Sequence, residues 1–98
     1  MAEALKMPQI FSIGAYLVYF WSNEGEPLEP VHVHVSKGKP DKNSTKIWIT
    51  KSLNCIVCNN NSKIPNHVLN NLIEIIENRA FEIVAKWNER FGYLKFYC

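Results

Sequence analysis

Several common sequence signals are missing from this chain of 98 residues. No stretch approaches the roughly 18 consecutive apolar residues of a membrane-spanning helix, which excludes a helical membrane protein. The start, Met1 to Lys6, carries neither the basic residues nor the apolar run of a secretion signal. We therefore expect a cytoplasmic protein that does not bind membranes.

Cysteine is scarce and charge is nearly balanced. The cysteines, at positions 55, 58 and 98, cannot form an even disulfide framework, which excludes a disulfide-stapled scaffold and fits a reducing compartment. A formal net charge of +2 is too small to indicate a nucleic-acid binder by itself. The hydrophobic content of 47% is ample for one compact core. We predict a single domain over residues 7–98, with residues 1–6 as a flexible N-terminal extension.

The lysines are nevertheless unevenly placed. Lys37, Lys39, Lys42, Lys46 and Lys51 lie close together in the sequence, whereas glutamates dominate the second half. The simpler interpretation is a solvated surface loop rich in Lys, Gly and Pro. The alternative is that the lysines form a basic side of the molecule and the glutamates an acidic side.

Valine and histidine alternate strictly over residues 31–35, which read Val-His-Val-His-Val. Successive strand residues point to opposite faces, so the valines face the core while His32 and His34 project together, with side chains roughly 7 Å apart. This strand therefore supplies both core residues and a pair of titratable side chains.

Period-two patterns predict further strands, and a later change of period predicts a helix. The strands are Gln9 to Ile13, Ala15 to Ser22, one around Ile47 and Ile49, and Asn54 to Cys58, with Gly14 in the first turn and the run Asn59-Asn60-Asn61 ending the last strand. The helix begins at Pro65 with Ser62 as a candidate cap, breaks near Asn78 and stops at Gly92, and Tyr93 to Tyr97 returns as a short edge strand. The predicted fold class is α+β: a small antiparallel β-sheet of four to five strands followed by a long or broken C-terminal helix packed on one face.

Three interpretations of the histidine pair stay open. Neutral imidazoles at alternate strand positions can chelate a divalent metal such as zinc, so His32 and His34 are candidate metal ligands. A third ligand is then required. The candidates are Glu24, Glu26, Glu29, His67, Cys55 and Cys58.

The second interpretation is general acid–base catalysis on a phosphodiester, as in a small ribonuclease. One of the catalytic candidates His32 and His34 takes a proton from a ribose hydroxyl and the other protonates the leaving oxygen, with Lys37 or Lys46 stabilising the charge. The third interpretation has two half-exposed histidines that hydrogen-bond neighbouring loops or a protein partner.

Other motifs are less specific. Cys55-Ile56-Val57-Cys58 has Cys-x-x-Cys spacing, but positions three apart on a strand face opposite sides, so we expect structural cysteines. Asn61 and Lys63 precede a helix N-terminus, where they either bind an anion such as phosphate or simply form the turn. Trp48 shares the polar face of its strand with Lys46 and is a candidate binding aromatic.

The sequence resembles a known bacterial family, called domain of unknown function 4160. The resemblance rests on Met7-Pro8-Gln9-Ile10-Phe11, Val18-Tyr19-Phe20-Trp21-Ser22-Asn23-Glu24, Pro30-Val31-His32-Val33-His34-Val35, and Trp87-Asn88-Glu89 with Phe91-Gly92, so it spans about residues 7 to 92. It implies a small bacterial α+β domain, often encoded beside a second small protein in pairs that look like toxin–antitoxin modules. One departure is that family members commonly place two prolines directly before the first histidine, whereas Val31 takes that place here.

Two hypotheses of function result. In the first, the chain is a small interaction module of a toxin–antitoxin-like gene pair, which binds a cognate protein through a face that carries the histidines and lysines, with nucleic acid as a second candidate ligand of that face. In the second, it is a small nuclease that uses His32 and His34 directly or through a bound metal. The predicted binding residues are Lys37, Lys46, Trp48, Asn61 and Lys63.

Overall fold

The computed structural model describes residues 9–22 and 28–98. The predicted extension over residues 1–6 and the two candidate ligands Glu24 and Glu26 lie outside these ranges. Within them, five strands are followed by two helices: β1 (Gln9–Ile13), β2 (Tyr16–Tyr19), β3 (His32–Lys37), β4 (Thr45–Ile49), β5 (Cys55–Asn60), α1 (Asn66–Asn78) and α2 (Ala80–Phe91).

The strands form one antiparallel sheet in the order β1-β2-β3-β4-β5, so each strand pairs with its neighbour in the sequence. Such a meander needs only short turns between strands. The tightest turn follows β1, where Gly14 adopts a φ of +58° that a side chain would disfavour. This arrangement confirms the predicted antiparallel sheet and the turn at Gly14.

The core lies between one face of the sheet and the two helices. Val31, Val33 and Val35 are fully buried on this face, as the alternation predicts. From the helices, Ile76 of α1 and Ile83 of α2 are likewise fully buried in the same cluster. Apolar residues at helical spacing thus meet apolar residues at strand spacing, which confirms the α+β fold class.

The predicted break near Asn78 is also confirmed. Arg79 lies between the helices with a non-helical φ of −115° and ψ of 15°. Its guanidinium donates two hydrogen bonds of 2.9 Å to Glu82 and lies 3.9 Å from the centroid of the Phe11 ring on β1. The hydrogen bond to Glu82 raises the pKa of Arg79, and the same bond lowers the pKa of Glu82. One side chain therefore connects the start of α2 to the first strand.

Two boundaries near the polar turn differ from the sequence prediction. Strand β5 continues through Asn60 instead of ending before the asparagine run, because Asn60 accepts a hydrogen bond of 2.6 Å from the Thr45 hydroxyl on β4 and donates one of 2.9 Å to the Ile64 carbonyl. Ser62 does not cap α1; its hydroxyl lies 2.5 Å from that of Thr45, and Pro65 precedes the helix without a side-chain cap. Hydrogen bonds to Thr45 on the neighbouring strand thus take the place of the local helix cap and strand end that the sequence predicts.

Two other predicted strands differ from the structure, one in its length and one in its existence. The second strand ends at Tyr19, where its pairing with β3 ends, rather than at Ser22. Residues 93–98 form no strand, although the Lys95 carbonyl accepts a hydrogen bond of 2.8 Å from Val31 and the Cys98 carbonyl accepts one of 3.0 Å from Lys51. These separate bonds hold residues 93–98 against the sheet without forming a ladder.

Candidate functional site

The registers of the central strands place the predicted site residues on one face of the sheet. His34 of β3 is opposite Tyr19 of β2 and Lys46 of β4, and His32 is opposite Trp48. Residues directly opposite each other in an antiparallel pair point to the same side. We call the side of the sheet that carries Tyr19, His32, His34, Lys46 and Trp48 the histidine face.

His32 lies inside the protein, whereas the third interpretation of the histidine pair assumed that it is half-exposed. It is fully buried, and its Nδ1 donates a hydrogen bond of 2.9 Å to the Pro30 carbonyl. The ring centroid of Trp87, from α2, is only 5.1 Å away, and that of Trp48 is 5.6 Å away. The strand pattern could not predict this burial, because it depends on where α2 docks.

His34 is the more accessible histidine of the pair. It is half-buried, its ring centroid is 5.1 Å from that of His32, and its Nδ1 is hydrogen-bonded to the Ser44 hydroxyl at 3.1 Å. Ser44 ends the connection between β3 and β4. His34 therefore contacts the following loop, which is one of the roles that the sequence left open.

The same loop is held by two further side chains. Residues 37–43, which we call the lysine loop, contain Lys37, Lys39 and Lys42, and all three are exposed. The Tyr19 hydroxyl donates a hydrogen bond to the Asp41 carbonyl and accepts one from the Asp41 amide, both at 3.2 Å. The Ser36 hydroxyl donates a bond of 2.6 Å to the Lys39 carbonyl. Residues of the sheet thus fix the backbone that carries the three lysines.

Lys46 differs from the lysines of the loop because it is engaged within the protein. Its Nζ lies 3.1 Å from a Glu29 carboxylate oxygen and 4.5 Å from the centroid of the Trp48 ring. The carboxylate and the ring both favour the ammonium group in this position. The structure thus brings Lys46 and Trp48 together, as predicted, and places Lys37 in the lysine loop at the end of β3.

An exposed aromatic stack lies at one end of the histidine face. The rings of Trp48 and Tyr97 are nearly parallel, at 4°, with centroids 5.0 Å apart, and Tyr97 is 58% exposed. Ile56, opposite Trp48 on β5, is also exposed. Sequence reasoning missed Tyr97 as a site residue, although its aromatic neighbours Tyr93 and Phe96 were a signal that residues 93–98 return to the sheet.

The cysteines on β5 differ in environment. Burial, and secondarily the Glu77 carboxylate, raises the pKa of the half-buried Cys55 thiol to about 12, so this thiol is unreactive. Cys58 is exposed and falls at a register shift where Asn59 pairs with Lys46 and Val57 with Ile47. The two thiols do not form a pair, in agreement with the expectation from strand geometry.

The predicted anion-binding residues belong to a turn. Asn61 and Lys63 are both exposed, and the Asn61 amide donates a hydrogen bond of 3.2 Å to the Asn59 side chain. Lys63 adopts a φ of +57° and its amide donates to the Asn60 carbonyl at 3.0 Å. This geometry is that of the turn interpretation, and the two residues lie in the turn that precedes α1.

The described ranges contain no group of three histidine, cysteine, aspartate or glutamate side chains placed to hold a metal ion. Glu29, one candidate third ligand, pairs with Lys46. His67 is exposed at the start of α1, and Cys55 packs against the core. Glu24 and Glu26 lie outside the described residues, so the two histidines are the metal-ligand candidates that the structure brings together.

These observations define a small α+β domain whose five-stranded meander packs its valines against two helices, while His34, Lys46 and Trp48 share the opposite face with His32, which Trp87 of α2 covers. The sequence model of the family described as domain of unknown function (DUF4160) matches residues 15–88. The chain belongs to this family. Searches of curated proteins and of solved structures found no match. In the described part of the chain, neither helix has the length and apolar character needed to cross a membrane.

Proposed function

We propose that this protein is a small cytoplasmic interaction module of a toxin–antitoxin-like gene pair, which binds a protein partner through the histidine face and the lysine loop. The observation that carries the proposal is the exposed stack of Trp48 and Tyr97 beside Lys46. Large aromatic side chains are enriched at the centres of protein interfaces, because they bury much area at a low entropic cost.

The histidines have a positioning role in this proposal. Buried His32 contacts Trp48 on one side and Trp87 on the other, so it supports the aromatic stack from below. His34 holds Ser44 at the end of the lysine loop. A surface whose side chains are fixed before binding loses less entropy when a partner arrives.

The charge of the lysine loop favours an acidic partner surface. Lys37, Lys39 and Lys42 are exposed, and Asp41 is the acidic residue among them. Exposed charges of one sign accelerate association with a complementary surface and make it sensitive to salt. Nucleic acid is a second candidate ligand, because it also carries negative charge. Its bases would stack on Trp48 and its phosphates would lie near the lysines.

A nuclease is the alternative function, and one observation favours it. The rings of His32 and His34 lie 5.1 Å apart next to the lysine loop, which is close enough for both to act on one phosphodiester. Burial of His32 requires that such a reaction depend on the accessible His34 or on a movement that exposes His32. A divalent metal held by the two histidines is the metal-dependent version of the same alternative.

The test of the interaction model is co-purification with the protein encoded by the neighbouring gene. Trp48→Ala, and separately the pair Lys37→Glu and Lys39→Glu, should weaken binding measured by calorimetry. Phe81→Ala and Lys86→Glu are the matched controls, because both residues are exposed on α2. Equal binding by all variants would remove the histidine face from the model.

The nuclease alternative is tested on the same preparations. Wild-type protein is incubated with single-stranded RNA, with and without zinc, magnesium or manganese, and metal content is measured after purification. Cleavage that disappears in His34→Ala while the fold is retained supports the enzyme. Absence of cleavage under all of these conditions contradicts it.

A further inference from the structure

Strand β5 is an edge of the sheet whose sequence lacks the usual guard residues, although a register shift falls at Cys58. It pairs with β4 and is the last strand in the sheet order of the described chain. Ile56, Val57 and Cys58 are all exposed. Natural edge strands are commonly guarded by lysine or proline against pairing with another chain, and neither residue occurs between Cys55 and Asn60.

The backbone direction along β5 is known from its first residue. The Cys55 amide donates a hydrogen bond of 2.8 Å to the Glu77 carboxylate of α1, so this amide points away from β4. The backbone N–H and C=O groups of successive residues alternate in direction along an antiparallel strand. The backbone groups of Ile56 therefore point toward β4, and those of Val57 point outward. The Glu77 carboxylate takes the position that a carbonyl of an added strand would have at Cys55. The Asn60 carbonyl accepts a hydrogen bond from the Lys63 amide, so an added strand pairs at Val57, between these two occupied positions.

A groove opens beside this edge, at the turn between β4 and β5. Its volume is about 460 Å³, which is large enough for one apolar side chain of an added strand. The groove is lined by Thr50, Lys51, Ser52, Asn54, Ile56 and Cys98. Ile56 supplies apolar surface, while Thr50, Ser52 and Asn54 are hydrogen-bonded to one another.

The charges near β5 decide which kind of strand fits. The strand itself is neutral, whereas Lys51 precedes it and Lys63 follows it, and both lysines are exposed. A second copy paired antiparallel about Val57 would bring Lys51 of one chain toward Lys63 of the other. Like charges in such positions oppose pairing, and acidic residues in the same positions favour it.

We infer that β5 accepts an extended segment of a protein partner, apolar in its middle and acidic at both ends, as an additional strand of the sheet. The Val57 backbone supplies hydrogen bonds, the groove beside Ile56 takes an apolar side chain, and Lys51 and Lys63 attract the acidic ends. This is peptide recognition by strand addition, in which the main chain gives affinity and pockets give specificity. The site adjoins the stack of Trp48 and Tyr97, since Ile56 is opposite Trp48 and Cys98 follows Tyr97, but it uses the backbone of β5 instead of the aromatic rings.

The test uses a short synthetic peptide of alternating valine and threonine with aspartates at both ends. Titrated into isotopically labelled full-length protein and followed by NMR, it should shift the amide signals of Val57 and of the groove residues Thr50 and Ser52. A peptide with the same centre and lysines at both ends is the control. It should bind about fivefold more weakly, since two exposed ion pairs are replaced by repulsion.

Two variants make the test specific. Val57→Pro removes an outward amide without removing a bond to β4, so it should abolish binding while circular dichroism and the other NMR signals stay native. Lys51→Glu combined with Lys63→Glu should reverse the preference between the two peptides, and it keeps the test valid if the proline variant does not fold.

Three results would overturn the inference. The first is an unchanged spectrum at millimolar peptide, and the second is a set of shifts confined to β1 or to the helices. The third is a dimer that forms without peptide, detected by sedimentation, and that shifts the NMR signals of β5 when it dissociates on dilution. Such a dimer would show that a second copy of the chain, and not a partner peptide, pairs with β5.

Discussion

Trp48 in β4 and Tyr97 near the end of the described chain stack with their rings 4° from parallel and their centroids 5.0 Å apart. Three attachments of residues 93–98 are this stack and the bonds from Val31 to Lys95 and from Lys51 to Cys98, and Tyr93 adds hydrogen bonds with Glu29. Tyr97 thus extends the aromatic surface of the histidine face. A segment that forms neither helix nor strand therefore contributes directly to the candidate site.

Replacing Tyr97 by alanine tests this contact. The variant should lower the free energy of unfolding by about 1 kcal/mol, the size of an aromatic pair interaction. Urea unfolding measures the difference. Leu94→Ala is the control, because Leu94 is 44% exposed and forms none of these three attachments. Equal losses in the two variants would show that the stack adds no stability of its own.

Replacing His32 by alanine should be far more costly than replacing an exposed histidine. His32 is fully buried between aromatic rings, so the truncation leaves a cavity and should cost about 3 kcal/mol. His67→Ala, at an exposed position of α1, should change stability by less than about 0.5 kcal/mol. Both are measured by urea unfolding. A small effect at His32 would contradict the burial described here.

The hydrogen bond between His34 and Ser44 can be isolated by a double-mutant cycle. His34→Ala and Ser44→Ala should each destabilise the protein by about 1 kcal/mol, since each removes one partner of the same bond. The double variant should then lose less than the sum of the two single losses. Strict additivity in urea unfolding would show that the pair contributes nothing to holding the lysine loop.

Much of the fold was predictable from periodicity, and the reasons are local. Strand β1 was predicted with its observed bounds, because apolar alternation and Gly14 define both of its ends. The break between α1 and α2 was predicted from the length of the helical pattern, and Gly92 adopts the left-handed conformation that ends a helix. Short-range patterns of this kind depend on few tertiary contacts.

The site was less predictable because its geometry depends on distant segments. Trp87 of α2 buries His32, and Tyr97 completes the surface around Trp48, yet neither residue is near β3 in the sequence. The bonds of Thr45 to Asn60 and Ser62 likewise overrode the expected cap and strand end. Docking of the helices and of residues 93–98 decides these contacts, and alternation carries no information about it.

Thiol labelling should separate the cysteines. Burial and Glu77 raise the pKa of Cys55 from its ordinary value of 9.0 to about 12, so at pH 8 its thiolate is nearly absent. Iodoacetamide followed by mass spectrometry should therefore modify exposed Cys58 and Cys98 and spare Cys55 until the protein unfolds.

The same shift predicts a dependence of stability on pH. The pKa of Cys55 is higher in the folded protein than in the unfolded chain. The stabilising contribution of this thiol to folding is therefore complete below pH 9.0 and is lost as the pH rises toward about 12. Cys55→Ala removes this titration and should make stability fall less steeply over that range. Rapid labelling of Cys55 in folded protein at pH 8 would contradict both expectations.

Gly92 links the helix end to the aromatic stack, and its replacement gives the last prediction. Its φ is +76°, its amide donates a hydrogen bond of 2.8 Å to the Asn88 carbonyl, and a Cβ atom placed there would meet no other atom within 4 Å. Backbone strain is therefore the only expected cost, about 1 kcal/mol for Gly92→Ala and less for Gly92→Asn, since asparagine tolerates the left-handed region. Because residues 93–98 leave from this turn, Gly92→Ala should also increase hydrogen exchange at the Val31 amide, which bonds to Lys95. Equal stability of the alanine and asparagine variants would show that the cost has another origin than the left-handed conformation.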